Sequence, residues 1–184
     1  ARMILDSRGY PTVEAEVVLA DGSIGRASVP SGASTGSREA HELRDEGVLY
    51  AGKGVEKAIE NIKQILAPTI LEKEFSSQRE FDAHLITLDG TPDKSRLGAN
   101  AILALSLAFA KANTIRAHLP LYQHLRNEFS FTKNLSIPTP LINVLNGGKH
   151  APHSTDFQEW MIVPLRGETF GEALECAARV FYKL

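Results

Sequence analysis

The 184 residues are 43% hydrophobic and 23% charged, with a formal net charge of -2, which is the composition of an ordinary globular protein and excludes a disordered or fibrous chain. The slight acidity argues against nucleic acid or an anionic membrane as partner. The longest apolar run, Ile102 to Ala110, is interrupted by Ser106 and is too short to span a bilayer. The single cysteine, Cys176, has no internal partner for a disulfide, which fits a reducing, cytoplasmic compartment. The opening residues show no secretory signal pattern. The chain starts at Ala1 inside a strand-like pattern and stops at Leu184 inside a helical one, so it is expected to be part of a longer protein.

In chain order, residues 1–30 read as β structure. Met3 to Leu5 leads into a turn at Asp6-Ser7-Arg8-Gly9, Val13 to Leu19 roughly alternates, and Asp21-Gly22 forms a hairpin turn before Ile24 to Val29 returns. Pro30 to Gly36 is small and polar throughout and reads as loop. Ser37 is placed as the N-cap of a short polar helix running through Glu39, Glu42 and Arg44. Gly54 opens a helix with Val55, Ile59, Ile62 and Leu66 at helical spacing, expected to stop at Pro68. Ser77 and Glu80 form a capping box for a helix carrying Phe81, Leu85 and Leu88, ended by Asp89-Gly90. Residues 98–118 give a helix apolar nearly all round, expected at the centre of the domain. Pro120 starts another helix to about Phe129, and a polar connector follows from Ser130 to Ser136.

Two apolar strands, near 137–145 and 157–164, flank Asn146-Gly147-Gly148 and a polar loop with His150, His153 and Asp156. Thr169 and Glu172 cap a last helix with Phe170, Leu174, Ala177, Phe181 and Leu184 on one face. Hairpin strands, then helices, then strand, strand, helix make this an α+β chain followed by the opening of a second domain, with the boundary near Leu135.

Several groups carry chemistry, and each has a plain structural alternative. Gln158-Glu159 opens an apolar strand, where a carboxylate and an amide are costly unless partnered. Strand ends facing a loop rich in histidine and asparagine are common places for catalysis in α/β enzymes, and a satisfied structural carboxylate is the alternative. Ser31 to Gly36 lacks the lysine of a nucleotide-binding loop, leaving a plain loop before a helix or a mobile lid whose oxygens suit Mg²⁺. His150 and His153 lack the spacing of a zinc pair. Asp6-Ser7-Arg8 reads as a salt-bridged turn, and Cys176, Trp160 and Met161 as core.

Ile4-Leu5-Asp6-Ser7-Arg8-Gly9 with Pro11-Thr12-Val13-Glu14, Pro30 to Gly36 with Glu42-Leu43-Arg44-Asp45, Gly52-Lys53-Gly54-Val55, Leu97 to Leu103, Asn143 to Gly148 and Gln158-Glu159 follow one another as in enolases. The chain resembles that family from end to end at less than half of a full member's length, and Ser37-Arg38-Glu39-Ala40 is similar to its bacterial branch. The resemblance implies a small N-terminal capping domain of antiparallel sheet plus helices with its connector at residues 1–135. Residues 136–184 would then be the first strands and helix of an enolase-type β/α barrel, incomplete here. It also implies reversible dehydration of 2-phosphoglycerate to phosphoenolpyruvate by a homodimer using Mg²⁺, in which metal charge offsets the charge that builds on the carboxylate as the neighbouring carbon loses its proton.

By the same resemblance Ser34 is a ligand of the second metal, and His150 is the loop histidine that closes on the substrate. Gln158 contacts the substrate, and Glu159 is the carboxylate near the leaving hydroxyl. Catalytic roles therefore fall to Glu159 and His150, substrate binding to Gln158, His150 and Glu159, and metal binding to Ser34. The resemblance places the lysine base, the carboxylate ligands of the first metal and the phosphate contacts beyond Leu184. Tyr10 stands where the family usually has asparagine, His153 where asparagine is commoner and Trp160 where phenylalanine is commoner. An enolase-like binding or structural protein and a relative acting on another 2-hydroxy or 2-amino acid are the alternatives.

Overall fold

The computed structural model describes residues 1–32, 36–148, 151, 153–165 and 167–184. Its internal contacts separate two units, Ala1–Thr132 and Lys133–Leu184.

In the first unit, β1 (Arg2–Leu5), β2 (Pro11–Val18) and β3 (Ile24–Ser28) form an antiparallel sheet in that order. Arg2 pairs with Glu14, and Glu14 in turn with Ser28. The alternation along β2 buries Val13 and Ala15, while Glu14 and Glu16 face the other way and pair with Arg2 and Arg26. Both turns form as read. Asp6 Oδ1 accepts the N–H groups of Arg8 and Tyr10, and Gly22 takes a φ of 85° in the second turn.

Helix α4 (Ala99–Ala117) is the apolar helix expected at the centre, and it packs on β2 and β3. Gly25 makes that packing close. A Cβ there would fall inside the carbonyl oxygen of Ala108 and the amide nitrogen of Ala112, so the helix backbone lies directly on the strand. Against α4 pack α1 (Glu56–Asn61), α3 (Gln78–Asp89) and α5 (Leu121–Glu128). Phe81 stacks on Phe109 at 4.1 Å between ring centroids and meets the edge of Phe75 at 5.0 Å.

Three local expectations change. The polar helix from Ser37 does not form; residues 37–46 run as turns and irregular chain. Their polar groups bind partners distant in sequence instead of closing helical turns. Leu43 gives its N–H to Asn100 Oδ1 at 3.2 Å and accepts from Asn100 Nδ2 at 3.0 Å. The Asp45 carboxylate accepts the N–H groups of Glu56 and Lys57 at 2.7 and 2.9 Å, capping α1 from outside its own sequence.

Pro68 does not end its helix. A wider π-helical turn at Ile62–Leu66 comes just before it, with Ala67 N–H reaching Ile62 O, and α2 (Ala67–Ile70) continues through the proline. A widened turn makes room for the ring and absorbs the missing N–H. The third change is at α3, where Ser77 accepts the N–H of Glu80, but the Glu80 carboxylate turns to Ser76 rather than to Ser77.

The end of α3 is held by Asp89, which is 2% exposed. It accepts from the Thr91 hydroxyl, from Thr91 N–H at 2.9 Å and from Leu97 N–H at 2.7 Å. Burial alone would raise its pKa. The hydrogen bonds from Thr91 and Leu97 outweigh it and hold the carboxyl below its ordinary value. The folded pKa is thus depressed, so the contribution is complete above the unfolded value near about 4 and fades as pH falls through the lower folded value. Asp89→Ala is expected to destabilise the chain by about 1–3 kcal/mol at pH 7, because Leu97 N–H would be left buried without an acceptor. In urea unfolding the gap to the parent should narrow below about pH 4. An equal gap at pH 7 and pH 3 would remove Asp89 from this role.

The second unit holds an antiparallel pair, β4 (Ile142–Asn146) and β5 (Glu159–Ile162), and α6 (Phe170–Phe181). Both strands are shorter than the apolar runs that suggested them. Thr169 and Glu172 form both halves of the capping box expected at α6. Cys176 is half-buried and free. Trp160 and Met161, read as core, are each 47% exposed. Among the described residues, two strands and a helix provide too little surface to cover them.

Candidate active site

In the second unit the site grows from a strand pair with a fault in it. Asn143 pairs with Met161 and Leu145 with Trp160, so Val144 is an extra residue, a β-bulge. A bulge bends its strand and re-aims the residues that follow, here Leu145 and Asn146. Asn146 is then paired with Glu159, the first residue of β5, and its side-chain oxygen accepts from Asn143 Nδ2 at 2.6 Å.

Gly147 donates to Gln158 O at 2.9 Å and Gly148 to Thr155 O at 2.7 Å, drawing the loop back across the strand ends. Gly147 is required by that approach, since a Cβ would run into the Phe157 carbonyl and into Thr155. Ser154 adds a hydrogen bond to Asn146 O at 3.3 Å, and Phe157 packs edge-on to Trp160 at 5.1 Å.

Gln158 and Glu159 thus sit together at the mouth of this pair. Both are exposed. Among the described residues the Glu159 carboxylate has no hydrogen-bond partner and no ion-pair partner. His150 and Ser34 lie outside the described residues. His153 is exposed, with a φ of 70°. Among the described residues no three His, Cys, Asp or Glu side chains come together as a metal cage.

In the first unit, a cavity of about 610 Å³ is lined by Pro30, Gly32, Gly36, Glu39, His41 and Asn100, among others. Glu39 accepts Gly36 N–H at 2.7 Å on one rim. Asn100 clamps Leu43, and so holds residues 41–43 against the start of α4.

Two positioning residues, Asn100 and Asp45, were not singled out from sequence. Asn100 is a polar residue in an otherwise apolar helix, which was a usable signal. Asp45 followed a stretch read as helix, which hid it. Among the described residues, no helix is long and apolar enough to cross a membrane.

Residues 1–125 match the family described as Enolase, N-terminal domain, and residues 134–184 match Enolase, C-terminal TIM barrel domain. The α+β unit and the opening strands of the second unit occur in the same order as these two matches, and the chain belongs to the enolase family.

Proposed function

We propose that this chain serves the reversible, Mg²⁺-dependent dehydration of 2-phosphoglycerate to phosphoenolpyruvate, a hydro-lyase step of glycolysis, in a cytoplasmic homodimer. The observation that most directly supports this reading is Glu159, an exposed carboxylate at the start of β5, beside Gln158 and opposite Asn146. An exposed carboxylate at a strand mouth is within reach of a bound molecule and can take part in proton transfer.

In this reading Glu159 handles the proton taken up by the departing hydroxyl. Gln158 offers an amide that can both donate to and accept from the substrate's oxygens. His150 as a closing loop residue and Ser34 as a metal ligand are proposals from family membership alone. Mg²⁺ enters on the same ground, since the described residues assemble no cage for it.

The test is phosphoenolpyruvate formation, followed by ultraviolet absorbance, in a protein carrying this chain with a complete barrel. Turnover is expected to vanish with a chelator and return with Mg²⁺. Glu159→Gln should lower kcat by at least about 10²-fold with the fold intact by circular dichroism. Near-parental turnover in that variant would return Glu159 to a structural role. Absence of any Mg²⁺-dependent turnover in the parent would favour the non-catalytic, enolase-like alternative.

A further inference from the structure

We propose that a second pocket of the first unit binds a small oxyanion, a phosphate or carboxylate group, between Arg8 and Lys53. The pocket has a volume of about 240 Å³, and its lining includes Arg8, Tyr10, Ser31, Glu42, Arg44 and Lys53. Three cations therefore meet one carboxylate in the wall of a chain whose net charge is -2. A water molecule takes about 30 Å³, so the space admits an oxyanion with a small organic group attached.

Arg44 is already committed. It donates to Pro11 O at 2.5 Å, Lys53 O at 2.7 Å, Ser31 Oγ at 3.1 Å and Glu42 Oε1 at 2.7 Å, and Ser31 in turn donates to Glu42 Oε2 at 3.1 Å. That network uses up Glu42 and makes Arg44 the frame of the pocket. Lys53 is left without a carboxylate among the described residues, and Arg8 with one loose ion pair to Asp6 at 3.6 Å.

Among the described residues the Arg8 guanidinium gives one hydrogen bond, from Nη2 to Ser31 O at 2.8 Å. Its nearest carboxylate oxygen, Asp6 Oδ2, is 3.6 Å away, and Asp6 Oδ1 is occupied by two backbone N–H groups. A guanidinium has five N–H donors in a planar fork, so most of its capacity for an oxyanion is unused.

Lys53 has no carboxylate within ion-pairing distance among the described residues, and its Nζ lies 3.6 Å from the centre of the Tyr10 ring. An aromatic face holds an ammonium in place while leaving N–H donors on its far side. Two under-neutralised cations are thus fixed beside one pocket, the arrangement that phosphate and carboxylate groups satisfy. The inference does not rest on the reaction proposed above.

The test is titration of the ¹⁵N-labelled chain with sodium phosphate, sodium acetate and sodium chloride at matched ionic strength. Saturable shifts are expected at the amides of Arg8, Ser31, Gly32 and Lys53 with phosphate, with acetate, or with both, and the comparison identifies the preferred group. Lys53→Met should weaken binding at least about fivefold, because it removes one charged donor and keeps the stem. Tyr10→Asn should weaken it in the same direction. Shifts that chloride reproduces, that fail to saturate, or that survive unchanged in a folded Lys53→Met chain would overturn the proposal.

Discussion

The 184-residue polypeptide alone is expected to form no phosphoenolpyruvate, and amides of β4 and β5 should exchange with solvent at least about 10³-fold faster than those in the middle of α4. The physical reason is the burial. In residues 133–184 the buried hydrophobic side chains among the described residues are Ala173 and Ala177, both small. Leu145, Trp160 and Met161 on the strand pair and Phe170, Leu174 and Phe181 on α6 are each between 44% and 56% exposed.

A two-stranded antiparallel pair is marginal in water, and an eight-stranded barrel takes about 250 residues to close. Among the described residues the second unit has two strands and one helix, so in this polypeptide alone the pair keeps open edges that invite aggregation. The first unit, with Val13, Leu66, Phe81, Leu85 and Leu97 nearly inaccessible, should protect its amides as a cooperative whole. Metal-dependent turnover in a preparation whose intact mass is 20.1 kDa would refute the expectation, as would equal protection of β4, β5 and α4.

The second large effect belongs to Gly25. Gly25→Ala is expected to destabilise the first unit by about 3 kcal/mol or more, at the upper end for an overpacked core. The neighbours a methyl would strike are backbone atoms of α4, the Ala108 carbonyl and the Ala112 amide, which cannot rotate out of the way as a side chain would. Relief requires the helix to move off β3 and open the contact that buries Ala27, Ala104 and Ala108. Ala20→Gly, in the exposed hairpin turn, serves as a control for handling and should change stability by less than about 1 kcal/mol. Chemical denaturation monitored at the far-ultraviolet helix signal measures both. A Gly25→Ala midpoint within error of the parent would mean that α4 does not lie on β3 as closely as described.

The elements that were legible in the sequence are those whose cause is local. Helix α4 follows from an apolar run at helical length, the β2–β3 turn from Asp21-Gly22, the end of α3 from Gly90 in the left-handed region, and α6 from a reciprocal cap between Thr169 and Glu172. Gln158-Glu159 was legible for a related reason: polar groups opening an apolar strand stand out against their neighbours. The segment 37–45 was not legible, because its fate depends on Asn100 and on the start of α1. Those partners offer Leu43 and Asp45 better hydrogen bonds than a short exposed helix could. Helical periodicity was correct up to Pro68 and wrong about what the proline would do, since a widened turn costs less than breaking a helix packed by Ile62 and Leu66.

By itself, then, the sequence determined the family, the α+β class, the apolar central helix and the polar pair at the head of β5. All of these rest on composition, on short-range periodicity or on motifs read in order. Only the tertiary structure decided that Gly25 must lack a side chain, that Asp45 caps a helix it does not belong to, and that Arg8, Tyr10 and Lys53 meet around one pocket. Each of those depends on which distant backbone comes within a few ångströms, and no pattern confined to neighbouring residues encodes that distance.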